Sequence, residues 1–342
     1  MTEPSPHKDV RMRGFASRMD VTEVCRLVRD LARPLEAESV GLADAAGRVV
    51  ANELTASVPV PGFPRSAMDG YAVRGEETFG ASDYGPLTFR LIGDAMPGRP
   101  FAGVLQSGET VRIMTGAPLP QGADAVVMAE VAREVEGSGG RDVAVTDAVP
   151  PGRHVGQIGE DIEAGQRLLS AGRVLRPQDV GALASVGFTT VPVIRRPTVR
   201  LVITGDELLP PGSVPTATHI VDSNSVMLEA LVRRDGGVPL RAPIVPDRHA
   251  TVEAALLDPA GDLVLVSGGS SVGAEDHAPM IVADHGELLV HGVAMRPSSP
   301  TGIGRLGGRL VFLLPGNPVS CLCAYDFFAG PAIRLLGGRN SD

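Results

Sequence analysis

The sequence predicts a multidomain α/β protein: a mostly β N-terminal region with an inserted domain, followed by an open, largely parallel α/β sheet domain. Three observations predict it. From residue 40 to about 196, short alternating apolar runs are separated by frequent turn residues; Gly (42) and Pro (29) are abundant. Beyond residue 197, apolar runs of strand length alternate with helix-period stretches. The 342 residues also exceed what one small core organises, so two or three domains are expected.

In chain order, "DVTEVCRLVRDLARP" reads as a helix. Asp20 and Glu23 make a capping-box-like start, Val21, Val24, Leu27, Val28 and Leu31 form the apolar stripe, and Pro34 ends it. "GLADAAGRVVANEL", "LTFRLIG", "ETVRIMTG", "DAVVMAE" and "RDVAVTDAV" read as strands. Residues 177–186 read as a short helix ending at Gly187; a helix at either end of the β stretch suggests one domain interrupted by another. Then "TVRLVITG", "VPLRAPIV", "DLVLVSG" and "RLVFLLPG" read as strands. The helices between and after them are "SNSVMLEALVRRDGG", "DRHATVEAALLD" with Asp247 as its cap, "AEDHAPMIVADHG", and "NPVSCLCAYDFFAGPAIRLLGG" with Asn317 at the cap and Pro318 in the first turn.

Composition excludes several classes. A net charge of −9 argues against broad phosphate-backbone binding, and 4% aromatic residues without Trp argue against a stacking platform, so no nucleic-acid partner is expected. Cys25, Cys321 and Cys323 are too few and too unevenly placed for a disulfide framework, and buried thiols are the expectation. No apolar run approaches membrane-spanning length and the N-terminus lacks an apolar signal core, which predicts a cytoplasmic protein without a membrane partner.

In a parallel sheet, the loops leaving the C-terminal strand ends face one crevice. Three qualify here: "TGDELL", "SGGSSVGAED" and "LLPGNPVS". Their glycines let backbone approach a ligand, and helix starts behind the second and third offer N–H groups to an anion. Asp206, Glu207 and Asp276 bring carboxylates to the same rim, which suits Mg²⁺ between protein and phosphate; the competing reading is that they only stabilise turns and helix starts. "GSSVG" fits a nucleophile-elbow pattern around Ser271, but Ser267, Gly268 and Gly269 precede it and no histidine follows His291 to complete a triad. "GIGRLG" (302–307) fits a dinucleotide fingerprint but precedes a strand, so it reads as a turn.

With "PGFPRSAMDGYAV" (61–73), "VRIMTGAPLPQGADAVV" (111–127) and "VGQIGEDIEAG" (155–165) in the same order as the three loops, the chain resembles the molybdopterin molybdenumtransferases over about residues 20–336. The resemblance implies a homodimer with sites between subunits. It also implies the reaction of adenylylated molybdopterin with molybdate, giving molybdenum cofactor and AMP with a divalent metal, expected to be Mg²⁺. It further implies a flexible lead-in (1–19), an elongated linker and dimerisation domain (20–55 plus 158–196), an inserted β domain (56–157) and a molybdopterin-binding domain (197–338). Residue by residue, it assigns Asp69, Thr115, Asp161, Glu207, Asp247 and Asp276 to catalysis, with Glu207 and Asp276 as metal ligands. Gly205, Asp206, Ser267, Gly268, Gly269, Ser271, Gly273, Arg296, Ser299, Pro315, Gly316, Asn317 and Ser320 are assigned to the pterin nucleotide or the oxyanion.

Two departures from the family stand out. Residues 291–304, "HGVAMRPSSPTGIG", occupy the place of a lysine-rich loop; Gly292, Arg296 and Ser299 stand where lysines are usual, so one cation remains of three. The family also continues into a small β domain, whereas this sequence stops at "GGRNSD", short of that domain, either because the protein is naturally short or because the chain is cut there. The leading expectation is a molybdenum-insertion enzyme. The rival is a non-catalytic carrier or scaffold for the pterin nucleotide with a degenerate molybdate site.

Overall fold

The computed structural model describes residues 18–137, 140–269 and 276–340. The chain parts into two units. One comprises residues up to Glu53, Ser170–Val180 and Thr189 onward; the other comprises Leu54–Leu169 and Gly181–Phe188.

The unit that starts at Leu54 is built on six strands: β1 (Gly70–Val73), β2 (Leu87–Ala95), β3 (Glu109–Ile113), β4 (Ala125–Met128), β5 (Ala132–Gly137) and β6 (Gly140–Val145). They lie in the order β4-β1-β3-β2-β6-β5, with only the β2–β3 pair parallel. Alternation puts Tyr71, Val73, Phe89 and Val127 in one apolar cluster and Ala72, Ala95, Val111 and Val126 in another, so both faces of the sheet are covered.

The other unit holds a second six-stranded sheet: β7 (Thr198–Ile203), β8 (Val238–Arg241), β9 (Leu263–Ser267), β10 (Glu287–His291), β11 (Gly302–Leu306) and β12 (Arg309–Leu314). Its order is β8-β7-β9-β12-β11-β10; the first four strands run parallel, and β11 pairs antiparallel with both β12 and β10. Continuous apolar runs are what a doubly covered parallel sheet requires. Leu263 and Leu265 face one core with Leu201, Ile203 and Phe312, while Val264 and Val266 face the other with Val202, Val311 and Leu313. Each such side chain buried contributes about 1.5–3 kcal/mol.

Helices close both faces. The first core takes α1 (Val21–Leu31), through Val24 and Val28, and the helix that follows β12. Asp20 caps α1 by accepting the Thr22 N–H at 2.8 Å. Helix α2 (Pro177–Ser185) ends as expected before Gly187, whose φ is +89°. Helix α3 (Asn224–Arg234) follows the β7 loop, and α4 (His249–Leu257) and α5 (Ala278–His285) cover the second face.

Four expectations need correction. "GLADAAGRVVANEL" is not a strand: the strand is Ala37–Gly41, paired with Thr190–Ile194, and a 3₁₀ turn at Leu42–Asp44 follows. "GIGRLG" is not a turn: Gly302–Leu306 is β11 itself. A Cβ on Gly304 would lie 2.4 Å from Val282 Cγ1 of α5, so glycine there permits helix-on-sheet packing, and Gly307 and Gly308 make the turn. The last helix is not uniform; it runs as α6 (Pro318–Ala324), a π-helical turn at Tyr325–Ala329, and α7 (Gly330–Leu336). That 19-residue stretch, Pro318–Leu336, is long and apolar enough to span a membrane by length and composition, contrary to the reading of the sequence. Here it is a core helix, with Cys321, Tyr325, Phe328, Ala332 and Ile333 buried in the first core.

Candidate functional site

The parallel order β7-β9-β12 brings the three glycine loops side by side, each leaving the C-terminal end of its strand. Backbone bonds fasten them: Thr204 N–H donates to Ser267 O (3.0 Å) and Gly268 N–H to Leu314 O (3.4 Å). Glycine is required at the contact. Gly268 has φ +96°, and a Cβ on it would lie 2.3 Å from Thr204 O. A Cβ on Gly269 would lie 3.2 Å from Thr204 Oγ1 and 4.0 Å from Asp276 Oδ1, which places Asp276 over this junction. Ser271 and Gly273 lie outside the described residues.

The first loop carries the acid rim. Gly205 N–H donates to Val245 O (3.3 Å), tying the loop to the chain after β8, and Asp206 and Glu207 are exposed. The expectation that Asp247 caps a helix is wrong: α4 begins at His249 and its N-cap is Arg248, without a side-chain cap bond. Instead, Asp247 is half-buried and its N–H donates to Asp206 Oδ1 (3.2 Å). Burial pushes the Asp247 carboxyl above the ordinary carboxylate range, and the charges of Asp206 and Glu207 push the same way. The Asp206 backbone N–H pulls it partly back, as does the Thr204 hydroxyl, which approaches without a hydrogen bond of ordinary geometry. A cavity of about 490 Å³ opens beside this rim, lined by Gly205, Asp206, Leu208, Arg241, Pro243 and Pro246.

The third loop is ordered by its own side chain. Asn317 Oδ1 accepts the N–H groups of Val319 (3.1 Å) and Ser320 (3.2 Å), as the cap reading predicts, with Pro315 buried and Gly316 exposed. The serine-rich loop packs against it: Ser298, buried at φ +87°, donates from Oγ to Ser320 O (2.6 Å). Ser299 Oγ is buried without a hydrogen-bond partner, and Arg296 is exposed. Cys321 lies below this loop, its thiol pushed up to about 12 by burial, which makes it an inert core residue.

Two residues near these loops escape sequence reasoning. Asn224 is 7% exposed and donates from Nδ2 to both Ser267 Oγ and Gly316 O, each at 2.8 Å. Thr204, 4% exposed, has a hydroxyl without a partner beside Gly268 and Gly269. "VDSNS" reads locally as a helix start, and its polar run was the only available signal.

The Leu54–Leu169 unit carries the remaining candidates. Asp69 Oδ1 accepts both the N–H (2.7 Å) and the hydroxyl (2.8 Å) of Thr115, and these bonds hold its carboxyl below the ordinary range although it is exposed. Asp161 pairs with Arg65 at 3.2 Å, and Arg65 also reaches Glu160 at 3.1 Å. Thus Asp69 and Thr115 are joined, Asp161 has a different partner, and Glu207, Asp247 and Asp276 belong to the other unit.

Among the described residues, no three His, Cys, Asp or Glu side chains converge into a metal-holding group. A rim of carboxylates with one raised acid nevertheless fits a hard cation that takes most of its ligands from phosphate and water. The same rim does not fit a dedicated all-protein cage.

Similarity to known proteins identifies the family. Residues 19–187 match the family described as MoeA N-terminal region (domain I and II), and residues 200–335 match the probable molybdopterin binding domain. Over 329 residues the chain is 37% identical to molybdopterin molybdenumtransferase 2 of Mycobacterium tuberculosis (strain ATCC 25618 / H37Rv), covering 93% of this chain and 80% of that protein. It is 35% identical over 319 residues to molybdopterin molybdenumtransferase of Bacillus subtilis (strain 168), covering 92% and 74%. The fold is similar to the crystal structure of the molybdopterin biosynthesis MoeA protein from Pyrococcus horikoshii, with a TM-score of 0.83, 32% identity, and coverage of 95% of this chain and 81% of that one. With two matched regions that take in both sheets, and with relatives above 30% identity along most of their length, the chain belongs to the molybdopterin molybdenumtransferase family.

Proposed function

We propose that this protein inserts molybdate into adenylylated molybdopterin with release of AMP, acting in the cytoplasm as a homodimer. The observation that carries the reading is the junction of the three loops, where backbone N–H groups, the acid rim and a cavity of ligand size share one sheet edge. In this reading, Gly268, Gly269 and Gly316 let backbone lie against the pyrophosphate, and Ser267, Asn317 and Ser320 supply hydrogen bonds. Asp247 and Asp206 orient the attacking oxygen, with Asp247 able to exchange a proton because its carboxyl is raised. Glu207 and Asp276 would hold Mg²⁺, which when bound neutralises charge developing on the phosphates. Asp69, Thr115 and Asp161, on the Leu54–Leu169 unit, are further residues to which this reading gives a catalytic role. The oxyanion end is assigned to Arg296 and Ser299, the latter because its buried hydroxyl lacks a protein partner.

One observation favours the carrier reading. Arg296 is exposed, and Gly292, where the family has a lysine, sits at φ +98°, a conformation that disfavours any side chain. The two readings separate on Asp276→Asn. In the enzyme, this change removes AMP release by at least a hundredfold while AMP affinity and melting temperature hold; in a carrier, the unaltered protein already binds without release.

A further inference from the structure

Asn224 is the first residue of α3, yet its side chain does not serve that helix. The first turn is anchored elsewhere: Asp222 Oδ1 accepts the Ser225 N–H (2.9 Å), and Asp222 Oδ2 meets Arg241 (3.3 Å). The Asn224 carboxamide points its nitrogen at two different loops, donating to Ser267 Oγ at the end of β9 and to Gly316 O after β12. Because the Gly316 carbonyl can only accept, the atom facing it must be the amide nitrogen, and the orientation of the carboxamide is fixed. The loops it joins consist largely of glycine at the contact, and Gly268, Gly269 and Gly316 have no side chains to lock their backbones. Past the β9–β12 ladder, the direct backbone bond between these segments among the described residues is the long Gly268–Leu314 one, at 3.4 Å.

We infer that Asn224 is a positioning residue for the ligand site: it sets the spacing between the Ser267–Gly269 and Pro315–Asn317 loops so that both present their backbone N–H groups to one ligand. This rests on the functional reading above only in naming the ligand as a nucleotide. A residue that merely fills a buried corner behaves differently, because leucine, close to asparagine in size and shape, then substitutes without loss. A residue whose bonds matter does not tolerate leucine, which takes the donor away from the buried Ser267 Oγ and from the Gly316 carbonyl.

The experiment compares the unaltered chain with Asn224→Leu, using AMP and Mg²⁺ as the probe and amide hydrogen exchange as an independent readout. The inference expects AMP affinity to fall at least tenfold. It also expects exchange over 264–269 and 314–320 to quicken at least tenfold, with residues 125–128 of the other unit unchanged. AMP affinity within twofold and unchanged exchange overturn it. If the unaltered chain does not bind AMP, the functional reading fails, and exchange in the variant still decides whether Asn224 ties the loops. If Asn224→Leu does not fold, Asn224→Asp is read in the same way; it keeps the Ser267 bond as an acceptor and loses the one to Gly316, so unchanged exchange over 314–320 overturns the inference.

Discussion

The backbone N–H of Asp247 donates to Oδ1 of Asp206 across 3.2 Å, binding the loop after β8 to the loop after β7 and bringing two carboxylates together. Burial and its acidic neighbours raise the Asp247 carboxyl, so its ionised form at neutral pH works against folding. The sign follows: a group raised in the folded state contributes stability below its unfolded pKa and loses it as pH rises through the folded one. Asp247→Asn is therefore expected to raise the melting temperature at pH 7, on the order of 1 °C, while lowering turnover at least a hundredfold. Scanning calorimetry beside an AMP-release assay checks both; a lower melting temperature contradicts the electrostatic account.

Asp69 and Thr115 make an exposed pair whose two bonds converge on one carboxylate oxygen. Exposed polar pairs contribute little to stability, so Asp69→Asn should leave the melting temperature essentially where it is. If Asp69 is catalytic, the same variant lowers kcat at least tenfold. Thr115→Val, which keeps the backbone bond, should fall between Asp69→Asn and the unaltered protein. Equal loss in the two variants would contradict the ordering.

Arg296 is the single cation kept in the serine-rich loop. Arg296→Ala should raise the half-saturating molybdate concentration roughly ten- to 150-fold, as expected for loss of one charge-assisted contact of about 1.5–3 kcal/mol. AMP affinity should stay within twofold. Restoring charge is better attempted at Ser299 than at Gly292, whose φ of +98° would strain a lysine backbone. Titration of molybdate against turnover for Arg296→Ala and Ser299→Lys reads both directions.

Asp262 tests the fold rather than the chemistry. Burial alone would push its carboxyl up. The Arg195 guanidinium, bound through two bonds of 2.7 and 2.8 Å, and the Thr198 hydroxyl and N–H more than offset this and hold it at about 2. A depressed carboxylate contributes stability above its unfolded pKa, and that contribution disappears as pH falls from about 4 toward 2. After allowance for partial solvent screening, Asp262→Asn should cost about 1–2 kcal/mol at pH 7. Denaturant melts should show the difference from the unaltered protein shrinking across that acid window.

Much of the site was legible because its signals are local. A strand-length apolar run ending in glycines marks a loop at a sheet edge, and Asn317-Pro318 carries the chemistry of a helix cap in two adjacent residues. What escaped depends on distant partners. Asn224 looks like a helix start until Ser267 and Gly316 arrive from two other strands. Asp247 has the spacing of a cap, but the chain after β8 turns it toward Asp206. "GIGRLG" carries turn composition, and only the packing of Val282 of α5 explains glycines within a strand. Asp69, Thr115 and Asp161 were singled out by resemblance alone, since turns and solvated charges explain them locally.

The central claim is that this chain performs the insertion reaction itself. The most direct test is AMP release from adenylylated molybdopterin by the purified 342-residue chain with Mg²⁺, with and without molybdate. The account predicts release that depends on molybdate and is lost in Asp276→Asn. Tight binding of the nucleotide with no release in either condition contradicts it and leaves a carrier.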